Sequence, residues 1–109
     1  MLEQNEQGGV HMKEVHLGPE ENFTKLPAEI VFDKNLYWLI QAEDQATYRL
    51  VSSRCPHAGA IVEAEKGEFV CSMHGWTFDL HSGACLNVPT KSLTAYEVVV
   101  KEGQLIAHV

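Results

Sequence analysis

An all-β fold, an antiparallel sandwich or small barrel interrupted by a loop-rich insertion, is what this 109-residue sequence predicts. Three observations lead there. Short apolar runs rich in Val, Ile, Leu, Tyr and Trp alternate with turn residues. No long stretch repeats with the helical period. The segment from Cys55 to about Pro89 is dense in glycine, proline, cysteine and histidine, as though a small subdomain had been inserted into a β scaffold. The length fits one domain, near the size at which a single core still leaves much surface exposed.

The elements follow in order. Residues 1–11, MLEQNEQGGVH, are polar, lack periodicity and precede a second methionine, Met12. They are expected to be a disordered extension or a remnant of cloning, with residues 12–109 forming the domain and about 54–90 its inserted part. Strands are expected at Lys13 to Leu17, Glu29 to Phe32, Leu36 to Ala42, Thr47 to Ser53, Glu68 to Cys71, Thr77 to Leu80, Thr94 to Val100 and Gln104 to Val109. The polar turn EDQA between the third and fourth, and Lys101, Glu102 and Gly103 between the last two, mark two hairpins. The run NLYWLIQA is apolar on both faces, which predicts a strand buried between two layers.

The net charge is −7, with carboxylates at Glu20, Glu21, Glu29, Asp33, Glu43, Asp44, Glu63, Glu65 and Glu68. That balance disfavours nucleic acid and suits basic protein partners. No stretch approaches the ~20 apolar residues of a membrane span, and no charged segment followed by an apolar one opens the chain. A soluble, cytoplasmic protein is expected.

The chemistry concentrates in two short boxes, CPHAGA at Cys55 to Ala60 and CSMHGWTFDL at Cys71 to Leu80. Each supplies one cysteine and one histidine, as C-x-H and C-x-x-H, with thirteen residues between His57 and Cys71. Two thiolates and two imidazoles suit either a Rieske [2Fe–2S] cluster, where histidines replace cysteines on one iron, or a tetrahedral zinc ion. The flanks separate the two, because a C₂H₂ zinc finger pairs cysteine with cysteine and histidine with histidine, whereas here each box is mixed. A glycine follows each histidine closely and permits a tight backbone path.

On CPHAGA, CSMHGWTFD and GACLNVP the chain resembles the Rieske family, specifically the ferredoxins and cluster domains of aromatic-ring-hydroxylating oxygenases, over Val31 to Val109. The resemblance implies a Rieske-like β sandwich or barrel carrying a cluster-binding subdomain. It also implies one [2Fe–2S] cluster per chain, with Cys55 and Cys71 on the inner iron and His57 and His74 on the outer iron. The implied role is a one-electron carrier between a flavoprotein or ferredoxin reductase and a terminal oxygenase, with no substrate site of its own. A nitrite-reductase-like small subunit and a structural zinc module are the alternatives.

High-potential members of the family place a serine and a tyrosine where Trp76 and Phe78 stand, and staple the ligand loops with a disulfide. Neither ring here can donate an O–H, and the third cysteine, Cys85, is expected to be a small buried hydrophobe. A potential in the lower part of the Rieske range follows. Pro89 resembles the proline of the loop that covers the cluster. His11, His16, His81 and His108 have no ligand spacing, and nothing in the sequence supplies a 2-His-1-carboxylate iron site for oxygen activation.

Overall fold

The computed structural model describes residues 13–56, 60–73, 75–88 and 90–109. Nine strands run in chain order: β1 Glu14–Pro19, β2 Ala28–Phe32, β3 Asn35–Gln41, β4 Tyr48–Ser52, β5 Val62–Glu65, β6 Glu68–Cys71, β7 Thr77–Asp79, β8 Ala95–Lys101 and β9 Gln104–His108. A single 3₁₀ turn, Glu20–Asn22, follows β1. The larger sheet is antiparallel in the order β1-β9-β8-β4-β3-β2, and β5-β6-β7 form a separate three-stranded meander.

The six-stranded sheet folds around one apolar interior because side chains alternate faces along each strand. Val15, Ile30, Leu39, Leu50, Val98 and Leu105, one from each strand, all join that interior. Its two edge strands approach at one end, where Lys13 Nζ sits 2.7 Å from Asp33 Oδ2. Rings plug the same region: Phe32 stacks on Tyr37 at 4.5 Å, and Tyr37 meets Tyr96 edge to face at 6.0 Å. Burial, with Tyr96 and Asp33 nearby, raises the Tyr37 phenol above its ordinary pKa.

β3 is the wall shared by two cores, as its two-faced apolar run predicts. Tyr37 and Leu39 face the barrel interior, while Trp38 and Ile40 face the meander. Trp38 Nε1 donates to the Val62 carbonyl at 3.1 Å, and its ring lies 5.6 Å from that of Phe69. Ser53, fully buried, donates through Oγ to the Leu36 carbonyl at 2.7 Å.

Several boundaries differ from the sequence reading. The hairpin between β2 and β3 turns on Asp33 and Lys34, both at positive φ, and the one between β5 and β6 on Lys66 and Gly67. Neither carries the Asn-Gly or Asp-Gly signal of a two-residue hairpin, and β5 itself was not expected as a strand. The last turn is Glu102 and Gly103 alone, since Lys101 still pairs with Gln104 on the ladder. Leu80, Ala42 and Val109 fall outside their strands, as does Lys13, which nonetheless exchanges backbone hydrogen bonds with Val109.

Asp44 organises the β3–β4 turn by accepting from the Ala46 and Thr47 amides at 2.8 and 2.9 Å and from Thr47 Oγ1 at 2.7 Å. Those three donors favour the carboxylate and lower its pKa to about 2. Because the folded pKa lies below the ordinary carboxylate value, this contribution is present above about pH 4 and is lost as pH falls towards 2. Carboxyl-detected NMR should place the Asp44 midpoint near pH 2, against an ordinary value if the turn does not hold it. Trp38→Phe should cost about 2 kcal/mol in urea denaturation, through the lost indole donor and the lost volume.

Candidate metal centre

Each ligand box is a loop closed by the same backbone bond. The Cys55 amide donates to the Ala60 carbonyl at 2.7 Å, and the Cys71 amide donates to the Trp76 carbonyl at 2.8 Å. In both, the cysteine heads a loop that returns to it five residues later. The first loop is seated by a bridge between Arg54 and Ile61 and by a bond from the Val62 amide to the Ser53 carbonyl. The second is seated by the β6–β7 hairpin and a further bond from the Gly75 amide to the Cys71 carbonyl at 3.0 Å, with Gly75 at φ +71°. That left-handed turn explains a glycine immediately after His74.

Pairing then brings the loops together. β5 follows the first loop, β6 leads into the second, and Val62 lies opposite Cys71 in their register. Cys55 and Cys71 are buried in one core with Val62, Phe69, Phe78 and Leu93. His57 and His74 lie outside the described residues, as does Pro89. The chain neighbours Pro56, Ser72, Met73 and Gly75 are exposed, so each loop is anchored by a buried cysteine and borders solvent within two residues.

A third loop, also headed by cysteine, sits beside these two. The Cys85 amide donates to the Lys91 carbonyl, Cys85 itself bridges Phe78, and its Sγ accepts from the Val88 amide at 3.3 Å. The thiol is buried, as expected of a small hydrophobe. Asn87, which the sequence reading passed over, ties this loop to β7 by accepting the Thr77 amide at 2.7 Å and Thr77 Oγ1 at 3.3 Å. The available signal was an Asn within a short connection, a residue type whose side chain commonly bonds nearby backbone. Trp76 packs half-buried against the same core and Phe78 is fully buried within it.

The other histidines behave differently. His81 places Nδ1 2.9 Å from the Gln41 carbonyl, latching the end of β7 to the end of β3. His16 is exposed, and His108 Nδ1 is buried without a hydrogen-bond partner. His11 lies outside the described residues.

The two buried cysteines in one core suit a metal centre on chemical grounds, because a metal deprotonates the thiols it binds and its charge offsets the buried thiolates. A family model for the Rieske [2Fe–2S] domain matches residues 10–97. The chain belongs to the Rieske [2Fe–2S] domain family.

Rieske domains bind a [2Fe–2S] cluster of the histidine-ligated type, which makes that cluster the cofactor of this one. The match begins earlier than the resemblance carried by the ligand boxes and takes in β1 and β2. Among solved structures, the fold is shared with a protein assigned as the NADH-dependent nitrite reductase small subunit of Mycobacterium tuberculosis. Identity is 19%, the TM-score is 0.62, and the match covers 90% of this chain and 96% of that one. The ferredoxin of carbazole 1,9a-dioxygenase from Nocardioides aromaticivorans IC177 is 24% identical with a TM-score of 0.60, over 87% and 96% of the two chains. The terminal oxygenase of carbazole 1,9a-dioxygenase from Novosphingobium sp. KA1 is 20% identical with a TM-score of 0.63. Here the match covers 93% of this chain but only 31% of the oxygenase. A comparison with curated protein sequences finds no match. Among the described residues, no helix is long and apolar enough to cross a membrane.

Cysteine substitutions separate ligands from packing. Cys55→Ser and Cys71→Ser should each remove the cluster's visible absorption, whereas Cys85→Ala should retain two irons per chain and cost about 1–2 kcal/mol of stability. Iron and sulfide analysis of the three purified variants checks this.

Proposed function

We propose that this Rieske domain is a ferredoxin, a cytoplasmic carrier of single electrons between a flavoprotein or ferredoxin reductase and a terminal oxygenase. Cys55 and Cys71 would hold the inner iron, and His57 and His74 the outer one. The observation that carries the reading is the pair of cysteine-headed loops with matching closures, whose buried thiols share one core while their flanks reach solvent. When bound, the cluster supplies reversible one-electron storage.

The chain's own residues do the rest. Cys55 and Cys71 seat the redox centre away from water, in a core of Phe69, Phe78 and Leu93. His57 and His74, two and three residues further along loops whose flanks are exposed, would form the exit edge for the electron. Met73 and Leu86, 66% and 52% exposed, offer apolar surface on the second and third loops. A small apolar contact suits a brief encounter, and a net charge of −7 suits a basic partner. Phe78, buried and without a hydroxyl, withholds the hydrogen bond that raises the potential in high-potential members. A low potential suits delivery to an oxygenase. The reading assigns this domain no substrate site, and nucleic acid and membranes are not among its partners.

The end-to-end likeness to the nitrite reductase small subunit favours one second reading, a small iron–sulfur subunit held permanently by a larger reductase. Purification from the native host distinguishes the two, since a fixed stoichiometry with a large subunit supports the subunit and a monomeric red-brown protein supports the shuttle.

A redox titration followed by electron paramagnetic resonance tests the assignment. A Rieske signal, with average g below the free-electron value, should appear in the lower part of the roughly −150 to +300 mV span. His57→Ala and His74→Ala should each abolish it. The same signal at high potential would keep the cluster and remove the oxygenase-linked role, and zinc in place of iron would make the domain structural.

A further inference from the structure

A recess of about 400 Å³ lies between the β2–β3 turn and the end of β4, with Lys34, Asn35, Tyr37, Ser52, Arg54 and Ile61 among its lining residues. Its charge runs against that of the molecule. The chain has 15 acidic and 8 basic side chains, yet the recess is lined by two cations and no carboxylate. Lys34 and Arg54 are both exposed, and among the described residues neither takes part in an ion pair. Asp33, the carboxylate adjoining Lys34 in sequence, is already engaged by Lys13 at 2.7 Å.

The walls are fixed by backbone geometry. Asp33 and Lys34 hold positive φ in a two-residue turn, and Asn35 Nδ2 donates to the Asp33 carbonyl at 3.1 Å. Ser52 Oγ accepts the Arg54 amide at 3.2 Å, which leaves its hydroxyl proton available to another acceptor. Arg54 is tethered by its bridge to Ile61. A guanidinium offers paired N–H donors that match the two oxygens of a carboxylate, and a nearby ammonium adds a second positive charge.

We propose that this recess is a carboxylate-binding site, with Arg54 as the forked donor, Lys34 as the second cation and Ser52 Oγ as a further donor. The inference is independent of the electron-carrier reading. Its position gives it a consequence all the same, because Arg54 directly precedes Cys55 and clamps the stem of the first ligand loop, so an occupied recess braces that loop from outside. The carboxylate has two sources, a free polycarboxylic acid or an acidic side chain of a protein docked beside the half-exposed Ile61.

Amide NMR of the iron-loaded protein tests this, with citrate and acetyl-triglutamate amide as probes at an ionic strength held constant with sodium chloride. Saturable shifts are expected at the Lys34, Asn35 and Ser52 amides. Arg54→Gln should weaken binding at least tenfold and Lys34→Gln at least threefold, while Lys101→Gln, on β8 and outside the recess, should leave it unchanged. Tighter citrate assigns the site to a free acid, and a tighter peptide assigns it to a protein carboxylate. Absence of saturable shifts with either probe would overturn the proposal, as would full affinity in an Arg54→Gln protein that keeps its visible spectrum. Should that variant fail to fold, Lys34→Glu carries the decision: binding should vanish, and its survival would overturn the site.

Discussion

The two-sided burial of β3 is the constraint on which the rest of the molecule depends. A strand of alternating side chains normally serves one core, but Asn35–Gln41 supplies apolar groups to both faces. One face completes the barrel interior, and the other gives the meander a surface to pack on. A three-stranded sheet of 3 to 4 residues per strand has little area to bury by itself. It therefore takes its order from the wall behind it, through Trp38 and Ile40 and through the indole bond to the Val62 carbonyl. The position of both buried thiols is inherited from that contact.

The ligand loops show how little sequence is needed to build a metal seat. A backbone bond from each cysteine to the fifth residue beyond it closes the loop, and strand pairing places the two loops together. At the third loop a side chain joins the backbone bonds, where Asn87 accepts from Thr77 of β7. The result separates two duties by depth. Buried cysteines would fix the centre in the protein, and the exposed flanks of the same loops face outward.

Much of this was legible in the sequence because the signals were local. The two boxes mark out the two cysteine-headed loops by residue type and spacing, and NLYWLIQA declares its double burial by having no polar face. Most expected strands were found with ends displaced by one residue, which is the scale at which ladder bonds rather than patterning decide. What escaped was non-local or disguised. β5 reads VEAE, with three residues of low strand preference, and becomes a strand only because β6 supplies partners. The Asp33–Lys34 and Lys66–Gly67 turns lack the usual sequence mark of a two-residue hairpin and are imposed by the strands they join. The basic recess joins residues from both sides of β3 and β4, so nothing in any one segment announces it.

The insertion of the meander between β4 and β8 bears on how the chain reaches its native state. Val51 pairs with Ala95 in the larger sheet, so that contact spans the whole inserted segment. An unstructured loop of that length would delay closure, since its ends must find each other before any stabilisation is gained. Here the intervening chain is itself a run of adjacent hairpins, and the bridges Phe78 to Cys85 and Ala84 to Ser92 fold its exit back towards β4. Docking of the meander on β3 shortens the effective distance from Ser52 to Ala95. The order of events in folding would then run from the local β2–β3–β4 hairpins to the meander docked on them, with the closing of the larger sheet as the late and slow step.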